Sequence, residues 1–256
     1  MSEKQEKEIL IIIPAYNEEK NIGKVLDDLQ QSPLGDQLDI LVMNDASKDA
    51  TGQVVSEHHC KVITHIFNLG YGSGLQVGYK YALRHGYSYV IQMDADGQHD
   101  VCNVEKIYRE LVTADEAGKT PDIVLGSRFT EGWEAYPTSF VKKLAYLMFR
   151  FLIRVGTGKK ITDPTTGLQG LSRRAFGFYA LYNHFDDKYP DANMIMQMML
   201  LGYRVKEIPA VMHVRTEGVS MHSGLKPIVY MLRMTFSIIA VWLREKLYHV
   251  DEEVRE

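Results

Sequence analysis

Short apolar segments alternate with helical patterns throughout the first half of this chain. The predicted strands are residues 9–13, 38–43, 61–67, 87–93 and 122–125. The predicted helices between them are residues 18–31, 50–58, 74–85 and 101–117. Because this alternation is typical of a parallel sheet with crossover helices, we predict an α/β fold with a mostly parallel central sheet and flanking helices. Beyond residue 128 we expect helices, a polar loop rich in Gly and Thr, and a strand pair at 203–208 and 211–215.

Composition and charge limit the classes of protein to which this chain can belong. A chain of 256 residues with 45% hydrophobic residues can bury the core of one large domain. A net charge of -4 argues against a nucleic-acid partner, which a basic excess would indicate. Cys60 and Cys102 show neither metal-ligand spacing nor a disulfide framework, so a reducing, cytoplasmic location is expected. The charged residues 1–8 predict no secretory signal peptide.

Acidic residues stand where predicted strands end. Asp94 and Asp96 follow the apolar residues 89–93, and Asp45 follows the second predicted strand. Ligands of open α/β sheets bind at the carboxyl ends of strands. Paired carboxylates suit Mg²⁺ or Mn²⁺, whose remaining positions go to substrate phosphates. The alternative for the pair is a polar turn that closes the strand.

A dinucleotide-binding fold is disfavoured. Its glycine fingerprint belongs in the first strand-to-helix turn, where this chain has Pro14 and Ala15. The glycines at 70, 72 and 74 follow the third predicted strand instead. They indicate a tight turn or a close approach of the backbone to a ligand.

Six ordered motifs resemble those of the family-2 inverting glycosyltransferases, and most resemble the branch that uses dolichyl or polyprenyl phosphate. The motifs are 14–18 (PAYNE), 44–49 (NDASKD), 68–72 (NLGYG), 94–99 (DADGQH), 126–128 (GSR) and 163–167 (DPTTG). The resemblance covers roughly residues 9–220, and six motifs in order are far more specific than one. It implies a GT-A nucleotide-sugar-binding fold.

The resemblance also implies roles for individual residues. We place nucleotide-sugar binding at Pro14, Ala15, Tyr16, Glu18, Asp45, Gly70, Gly72, Asp94, Ala95 and Asp96. Asp45 would bond the base, and Asp94, Asp96 and Gln98 would hold Mg²⁺ or Mn²⁺ on the donor diphosphate.

Three further residues are assigned to catalysis. Arg128 and Arg215 match positions that meet phosphate groups, and Asp163 matches a proposed catalytic aspartate. A turn or cap residue before Pro164 is the alternative for Asp163. Arg215 opens the segment 215–220 (RTEGVS), after whose Ser the branch commonly has Lys, whereas this chain has Met221.

Two amphipathic segments raise the question of a membrane. In 139–155 the apolar residues at helical spacing are Leu144, Leu147, Met148, Phe151, Leu152 and Val155. Segment 228–243 is too short and interrupted to span a bilayer, although many relatives carry transmembrane helices there. With basic flanks both segments suit a membrane interface; the alternative is that both pack on the sheet.

We therefore predict metal-dependent, inverting transfer of a sugar from a nucleotide sugar to polyprenyl phosphate at the cytoplasmic membrane face, with UDP-sugars favoured over GDP-mannose. The alternatives are a glycosyltransferase with a soluble or saccharide acceptor, a nucleotidyltransferase, and a non-catalytic nucleotide-sugar-binding module. We expect a GT-A domain at 9–222, an amphipathic helical extension at 223–249, and flexible ends at 1–8 and 250–256. A small membrane protein docking on 228–243 is a further expected partner.

Two residues near these motifs have no assigned role. His99 directly follows the acidic motif. Asp191 predicts the start of a helix, in which four methionines read as core filler.

Overall fold

A computed structural model describes residues 7–130, 140–213 and 226–248, which form one seven-stranded sheet and eight helices. The strands are β1 Ile9–Ala15, β2 Leu38–Asn44, β3 Lys61–Thr64, β4 Tyr89–Gln92, β5 Ile123–Ser127, β6 Gln169–Ser172 and β7 Val205–Pro209. The helices are α1 Ile22–Gln30, α2 Thr51–Ser56, α3 Tyr71–Arg84, α4 Cys102–Val112, α5 Phe140–Thr157, α6 Arg173–Ala180, α7 Ala192–Leu200 and α8 Lys226–Tyr248.

The strand order is β3-β2-β1-β4-β6-β5-β7. Strand β6 runs antiparallel to β4 and β5, and the other pairs are parallel. The predicted mostly parallel sheet with flanking helices is confirmed. Since β1, β2, β4 and β5 point the same way, their carboxyl ends meet along one edge of the sheet.

Strand β6 was not predicted, because its four residues include Gly170 and follow a polar loop. Gly170 is required there: a Cβ at this position would lie 2.2 Å from the Ile107 side chain of α4. Of the strand pair predicted at 203–208 and 211–215, the first member is β7, and residues 214–215 of the second lie outside the described residues. Strand β7 pairs with β5, and within the described residues 211–213 only Met212 forms a bridge, to His99.

The core forms two apolar layers, one on each face of the sheet. Alternate residues of β1 supply both: Leu10 and Ile12 face α3 and the later helices, whereas Ile11 and Ile13 face the side of α1 and α4. Each such fully buried side chain contributes about 1.5–3 kcal/mol of burial free energy. This rigid sheet fixes the edge at which the polar motifs lie.

Helices α5 and α8 lie side by side and bury only part of their apolar surface. Thr235 Oγ1 is 3.6 Å from Met148 Sδ, and a Cβ at Gly156 would lie 3.1 Å from Trp242. Because the two contacts advance together along both helices, the helices run parallel. Their inward side chains join the core, including Phe149 of α5.

The predicted apolar stripe of α5 divides between core and solvent. Met148 and Leu152 pack on the core. Ten large apolar side chains of the two helices are exposed, and we call them the outer apolar surface. They are Leu144, Leu147, Phe151 and Val155 of α5, and Val229, Leu232, Phe236, Ile239, Leu243 and Leu247 of α8. No helix in the described residues combines the length and the apolar character needed to cross a membrane.

Candidate active site

The polar segments that end β1 and begin the loop after β2 are locked together by hydrogen bonds. The Asn17 amide donates to Ser47 Oγ at 3.0 Å, and the Glu18 amide donates to Thr51 Oγ1 at 2.8 Å. Asn17 and Ala46 adopt left-handed backbone conformations, with φ of 56° and 59°. Strained backbone of this kind persists only where surrounding contacts enforce it, and it clusters at functional sites. The two residues therefore mark this edge of the sheet as a candidate site.

Asp45 anchors a neighbouring loop. Its buried carboxylate accepts hydrogen bonds from the amides of Leu69 and Gly70 at 2.8 and 2.9 Å, and from His65 Nδ1 at 2.8 Å. A direct bond from Asp45 to a base stays a prediction. What the structure adds is that Asp45 shapes the loop leading into α3.

The glycines that open α3 allow a close approach of the chain to itself. A Cβ at Gly72 would lie 2.0 Å from the carbonyl oxygen of Asp186, and one at Gly70 would lie 3.0 Å from that of Asp187. Gly70 also has a φ of 100°, which favours glycine. The close approach indicated by these glycines is therefore made to residues 186–187, before α7.

The acidic pair lies in the turn after β4. Tyr71 donates a hydrogen bond of 3.0 Å to Asp94 Oδ1, and the Gln98 amide donates one of 3.1 Å to Asp96 Oδ1. A Cβ at position 167 would lie 2.5 Å from Asp94 Oδ2, so glycine is needed there for the backbone to approach that carboxylate. The turn is thus held in place by Tyr71 on one oxygen of Asp94 and by the backbone at Gly167 beside the other.

The carboxylate oxygens of Asp94 and Asp96 are ligands of the kind that a hard divalent ion prefers. Within residues 7–130, 140–213 and 226–248, no group of three or more His, Cys, Asp or Glu side chains could hold a metal. Asp94, Asp96 and Gln98 would supply oxygen ligands only. Mg²⁺ and similar ions are commonly bound by one or two carboxylates and substrate phosphates, with waters in the remaining positions. An ion here would therefore be shared with the donor.

The buried side chain of His99 contacts the acidic turn. Its Nδ1 accepts a hydrogen bond of 3.1 Å from the Asp94 amide, so Nε2 carries the hydrogen and lies 3.8 Å from Asp94 Oδ2. Burial lowers the pKa of His99 to about 4, and the ring is neutral near pH 7. His99 is thus a structural support of the turn.

The chain returns to the same turn after β7. The His213 amide donates to the Gln98 carbonyl at 2.7 Å, and Asn103 Nδ2 donates to the Val211 carbonyl at 2.8 Å. Residues 211–213 are therefore fixed beside the acidic turn. The predicted phosphate-binding Arg215 lies outside the described residues.

Arg128 and Asp163 form a buried ion pair at the next strand end. Arg128 Nε and Nη2 each donate to the Asp163 carboxylate at 2.7 Å, and the Arg128 amide donates to it at 3.0 Å. The Asp163 side chain is fully buried, whereas 18% of the Arg128 side chain is exposed. Glu207 of β7 holds the loop by accepting from the Asp163 amide at 2.8 Å. This carboxylate is placed to orient Arg128.

The geometry agrees with a sequence match. The profile of glycosyl transferase family 2 matches residues 10–179, about two thirds of the chain. The chain belongs to glycosyl transferase family 2. It is therefore a glycosyltransferase.

Several relatives of this glycosyltransferase are named for lipid-phosphate acceptors. The polyprenol monophosphomannose synthase of Mycolicibacterium smegmatis is 30% identical over 84% of this chain and 81% of its own length. The undecaprenyl-phosphate mannosyltransferase of Micrococcus luteus is 28% identical over 84% of this chain and 88% of its own. The UDP-N-acetylglucosamine–dolichyl-phosphate N-acetylglucosaminyltransferase of Methanococcus voltae is 30% identical over 66% and 71%.

Solved structures establish the fold of this glycosyltransferase. Glucosyl-3-phosphoglycerate synthase from Mycobacterium tuberculosis, in complex with Mn²⁺, UDP and phosphoglyceric acid, superposes with a TM-score of 0.67. The likeness covers 93% of this chain and 78% of that one at 20% identity. The predicted GT-A fold is thereby confirmed.

The residues predicted to bind the nucleotide sugar lie along one edge of the glycosyltransferase. They follow or end the adjacent strands β3, β2, β1 and β4, with Gly70 and Gly72 at the start of α3 after β3. Ala15 and Ala95 are buried, and Tyr16 is 41% exposed. The structure brings these positions together, and their binding roles stay predictions.

Four residues that face this site were missed from sequence: Tyr71, Tyr146, Asp191 and Tyr230. Tyr230 of α8 donates a hydrogen bond of 2.6 Å to Asp191 Oδ2. Burial, together with the nearby Asp94 charge, raises the pKa of Asp191 to about 6. Asp191 precedes α7 as predicted, but its side chain caps no amide of that helix. Tyr71 stood inside a glycine motif and could have been found, whereas Tyr230 is brought in by tertiary packing alone.

Proposed function

We propose that this glycosyltransferase moves a sugar from a nucleotide sugar to polyprenyl phosphate at a membrane surface, with inversion at the anomeric carbon. A UDP-sugar is the favoured donor and GDP-mannose the second. The ion would be Mg²⁺ or Mn²⁺, held by Asp94, Asp96 and Gln98. The proposal joins the family assignment to the charges at the strand edge and the apolar helices beside them.

The observation that carries the proposal is the placement of opposite charges at one sheet edge. Asp94 and Asp96 follow β4, and the Arg128–Asp163 pair stands at the end of β5. A divalent ion bound by the two aspartates would act as a Lewis acid and neutralise charge on the departing nucleoside diphosphate. Arg128, preoriented by Asp163, would place positive charge near a phosphate group of donor or acceptor.

A phosphate acceptor suits this site. A phosphate monoester has a second pKa of about 6 and is largely anionic near neutral pH, so strong general-base catalysis is unnecessary. Asp163 is enclosed by three hydrogen bonds from Arg128 and is better suited to positioning than to proton removal. The names of the relatives from Mycolicibacterium and Micrococcus support a lipid phosphate as the acceptor.

The outer apolar surface supports action at a membrane. Helices α5 and α8 contain eight basic residues and a single acidic one, Glu245, although the whole chain has a net charge of -4. Exposed apolar side chains flanked by basic residues favour an interface between water and anionic lipid. Each basic residue near such a surface contributes about 1 kcal/mol.

The donor and acceptor are tested by direct assay. Purified protein is first screened for thermal stabilisation by nucleotide sugars with and without Mn²⁺, since a ligand of the native state raises its apparent stability. The stabilising sugar is then offered, in labelled form, to polyprenyl phosphate and to water-soluble acceptors. We expect metal-dependent transfer to the lipid phosphate. Equal or faster transfer to a soluble acceptor would overturn the lipid assignment.

The membrane surface is tested by flotation with protein-free liposomes of phosphatidylglycerol and phosphatidylcholine. The wild type should float at low salt and be released at high salt, because surface charges are screened. Lys142→Glu/Lys143→Glu should reduce flotation, whereas Lys24→Glu/Lys80→Glu, on α1 and α3, should not. A wild type that stays soluble at low salt contradicts direct lipid binding. Binding to native membranes alone would indicate a membrane-protein partner on α8.

A further inference from the structure

Helix α8 is tied by polar contacts to the 186–193 segment, which runs from Asp186 into the start of α7. Tyr230 donates to Asp191 Oδ2 at 2.6 Å, and Asn193 Nδ2 donates to Ser237 Oγ at 2.9 Å. Arg233 lies 3.9 Å from Asp186 Oδ1. Three contacts on successive turns of α8 thus fix its inner face against this segment.

The other end of the 186–193 segment presses on the strand-end motifs. The Ser73 amide donates to the Asp187 carbonyl at 3.0 Å, and Gly72 leaves room for the Asp186 carbonyl. Tyr71, the residue before Gly72, donates to the predicted metal ligand Asp94. A continuous set of contacts therefore runs from α8 to Asp94.

Asp191 stands where this set of contacts meets the site. Its carboxyl group lies close enough to Asp94 and Arg128 for both charges to act on it. Tyr146 of α5 and Tyr71 of α3 also experience its charge. A residue needed only to start α7 would bond a helix amide, yet Asp191 bonds the hydroxyl of Tyr230.

The two faces of α8 have different surroundings. The inner face carries Tyr230 and the buried Met234 and Ile238, whereas the outer face exposes 69% of Phe236 and 52% of Leu232. Anything that stabilises the outer face in place also stabilises the position of Tyr230. The basic residues of α5 and α8 make an anionic lipid surface the fitting occupant.

We propose that α8 is a working part of the active site: Tyr230 is a positioning residue for Asp191, and contact of the outer face of α8 with anionic lipid stabilises the arrangement that transfers the sugar. This inference rests on the proposed function and adds lipid-dependent activation to it.

The test uses the full-length protein and a short-chain isoprenyl phosphate that remains in solution, with and without phosphatidylglycerol/phosphatidylcholine vesicles. Vesicles should raise the wild-type kcat at least about fivefold, the lower end of typical coupling between sites. Tyr230→Phe should lower kcat, leave the donor KM unchanged and abolish the stimulation. Tyr189→Phe is the matched control, because its ring also packs on Tyr230, at 5.3 Å, and should behave as wild type.

Two further variants distinguish a loss of the proposed positioning of Asp191 from a general loss of folding. Asp191→Asn keeps an oxygen for Tyr230 and should lower kcat without lowering the melting temperature. Phe236→Ser should reduce the stimulation by vesicles, whereas Val112→Ser at the end of α4 should leave it intact. Transfer that is indifferent to vesicles, or to Tyr230→Phe, overturns this inference alone. Absence of any transfer to the isoprenyl phosphate by the wild type overturns the proposed function as well.

Discussion

The two sides of the active site are held together by different forces. On the strand-end side, loops after β1 and β2 are joined by hydrogen bonds between backbone amides and side-chain oxygens, such as Lys48 to Asn17 at 2.8 Å. On the helical side, formed by α5, α7 and α8, aromatic rings and apolar side chains make most of the contacts. Phe149 and Tyr230 meet edge-on there with 6.3 Å between ring centroids.

These two kinds of contact have different consequences for how rigidly each side of the site is held. Directional hydrogen bonds fix the strand-end loops in one geometry, as Asp45 shows with its three donors. Apolar packing is not directional, so on the helical side contact at the outer face adds to the few polar contacts that hold α8 in place. Donor binding should therefore depend on the first side, and coupling to a surface on the second.

The largest effect is expected at the acidic turn of the strand-end side. Asp96→Ala should lower kcat by about 10³-fold, because the Lewis-acid contribution of a bound ion is worth several kcal/mol. Turnover is measured at saturating donor, and circular dichroism checks the fold, since no core cavity is created. Near wild-type turnover would show that Asp96 is not a metal ligand.

The second prediction concerns the buried pair that joins the two sides. Asp163→Ala leaves the Arg128 charge without its carboxylate and should destabilise the protein by about 3–5 kcal/mol in urea unfolding. Glu105→Ala, which breaks the exposed pair with Arg109 on α4, is the control and should cost no more than about 0.5 kcal/mol. Equal costs for the two variants would mean that Arg128 finds another partner.

A smaller effect is expected at Asp45. Asp45→Ala leaves two part-buried backbone N–H groups without their acceptor, and each unsatisfied buried group costs about 1–3 kcal/mol. Because Asp45 shapes the loop leading into α3, binding of the nucleotide sugar should weaken by about tenfold. The change in kcat at saturating donor should be minor. Donor affinity measured by calorimetry decides the point, and an unchanged affinity would place the base elsewhere.

The last prediction tests the helical side through its pH dependence. The folded-state pKa of Asp191, about 6, lies above its ordinary value, so the folded protein holds this proton more tightly than the unfolded chain. Its contribution is favourable at low pH and is lost as pH rises from about 4 to about 6. Asp191→Asn should therefore stabilise the protein by up to about 3 kcal/mol at pH 8 and by nothing at pH 4. Equal unfolding free energies of the two proteins at both pH values would contradict the burial of this carboxyl.

The strand-end side could be predicted from the sequence because its signals are local. The predicted strands and the polar residues at their ends stand next to each other in the chain, so the sequence placed Asp45, Asp94 and Asp96 at the strand ends. Parallel strands bring their carboxyl ends to the same edge whatever the details of packing. Only β6 escaped, because four residues with a glycine carry little strand signal.

The helical side was decided by tertiary structure. Periodicity predicted α5 but placed Leu144 and Phe151 on its apolar stripe, and packing then exposed both while burying Phe149 and Ile153. Helical spacing shows that a face is apolar but not which partner covers it.

The sequence by itself determined the order of strands along the chain, the family and the acidic turn, since each is written in short stretches of residues. Tertiary structure alone decided that Asp163 faces Arg128, that Gly72 admits residues 186–187, and that Tyr230 reaches Asp191 across 39 positions of sequence. These contacts join segments that lie far apart in the chain, and no local sequence pattern indicates that they meet. Close packing and the pairing of buried polar groups select them only once the sheet has assembled.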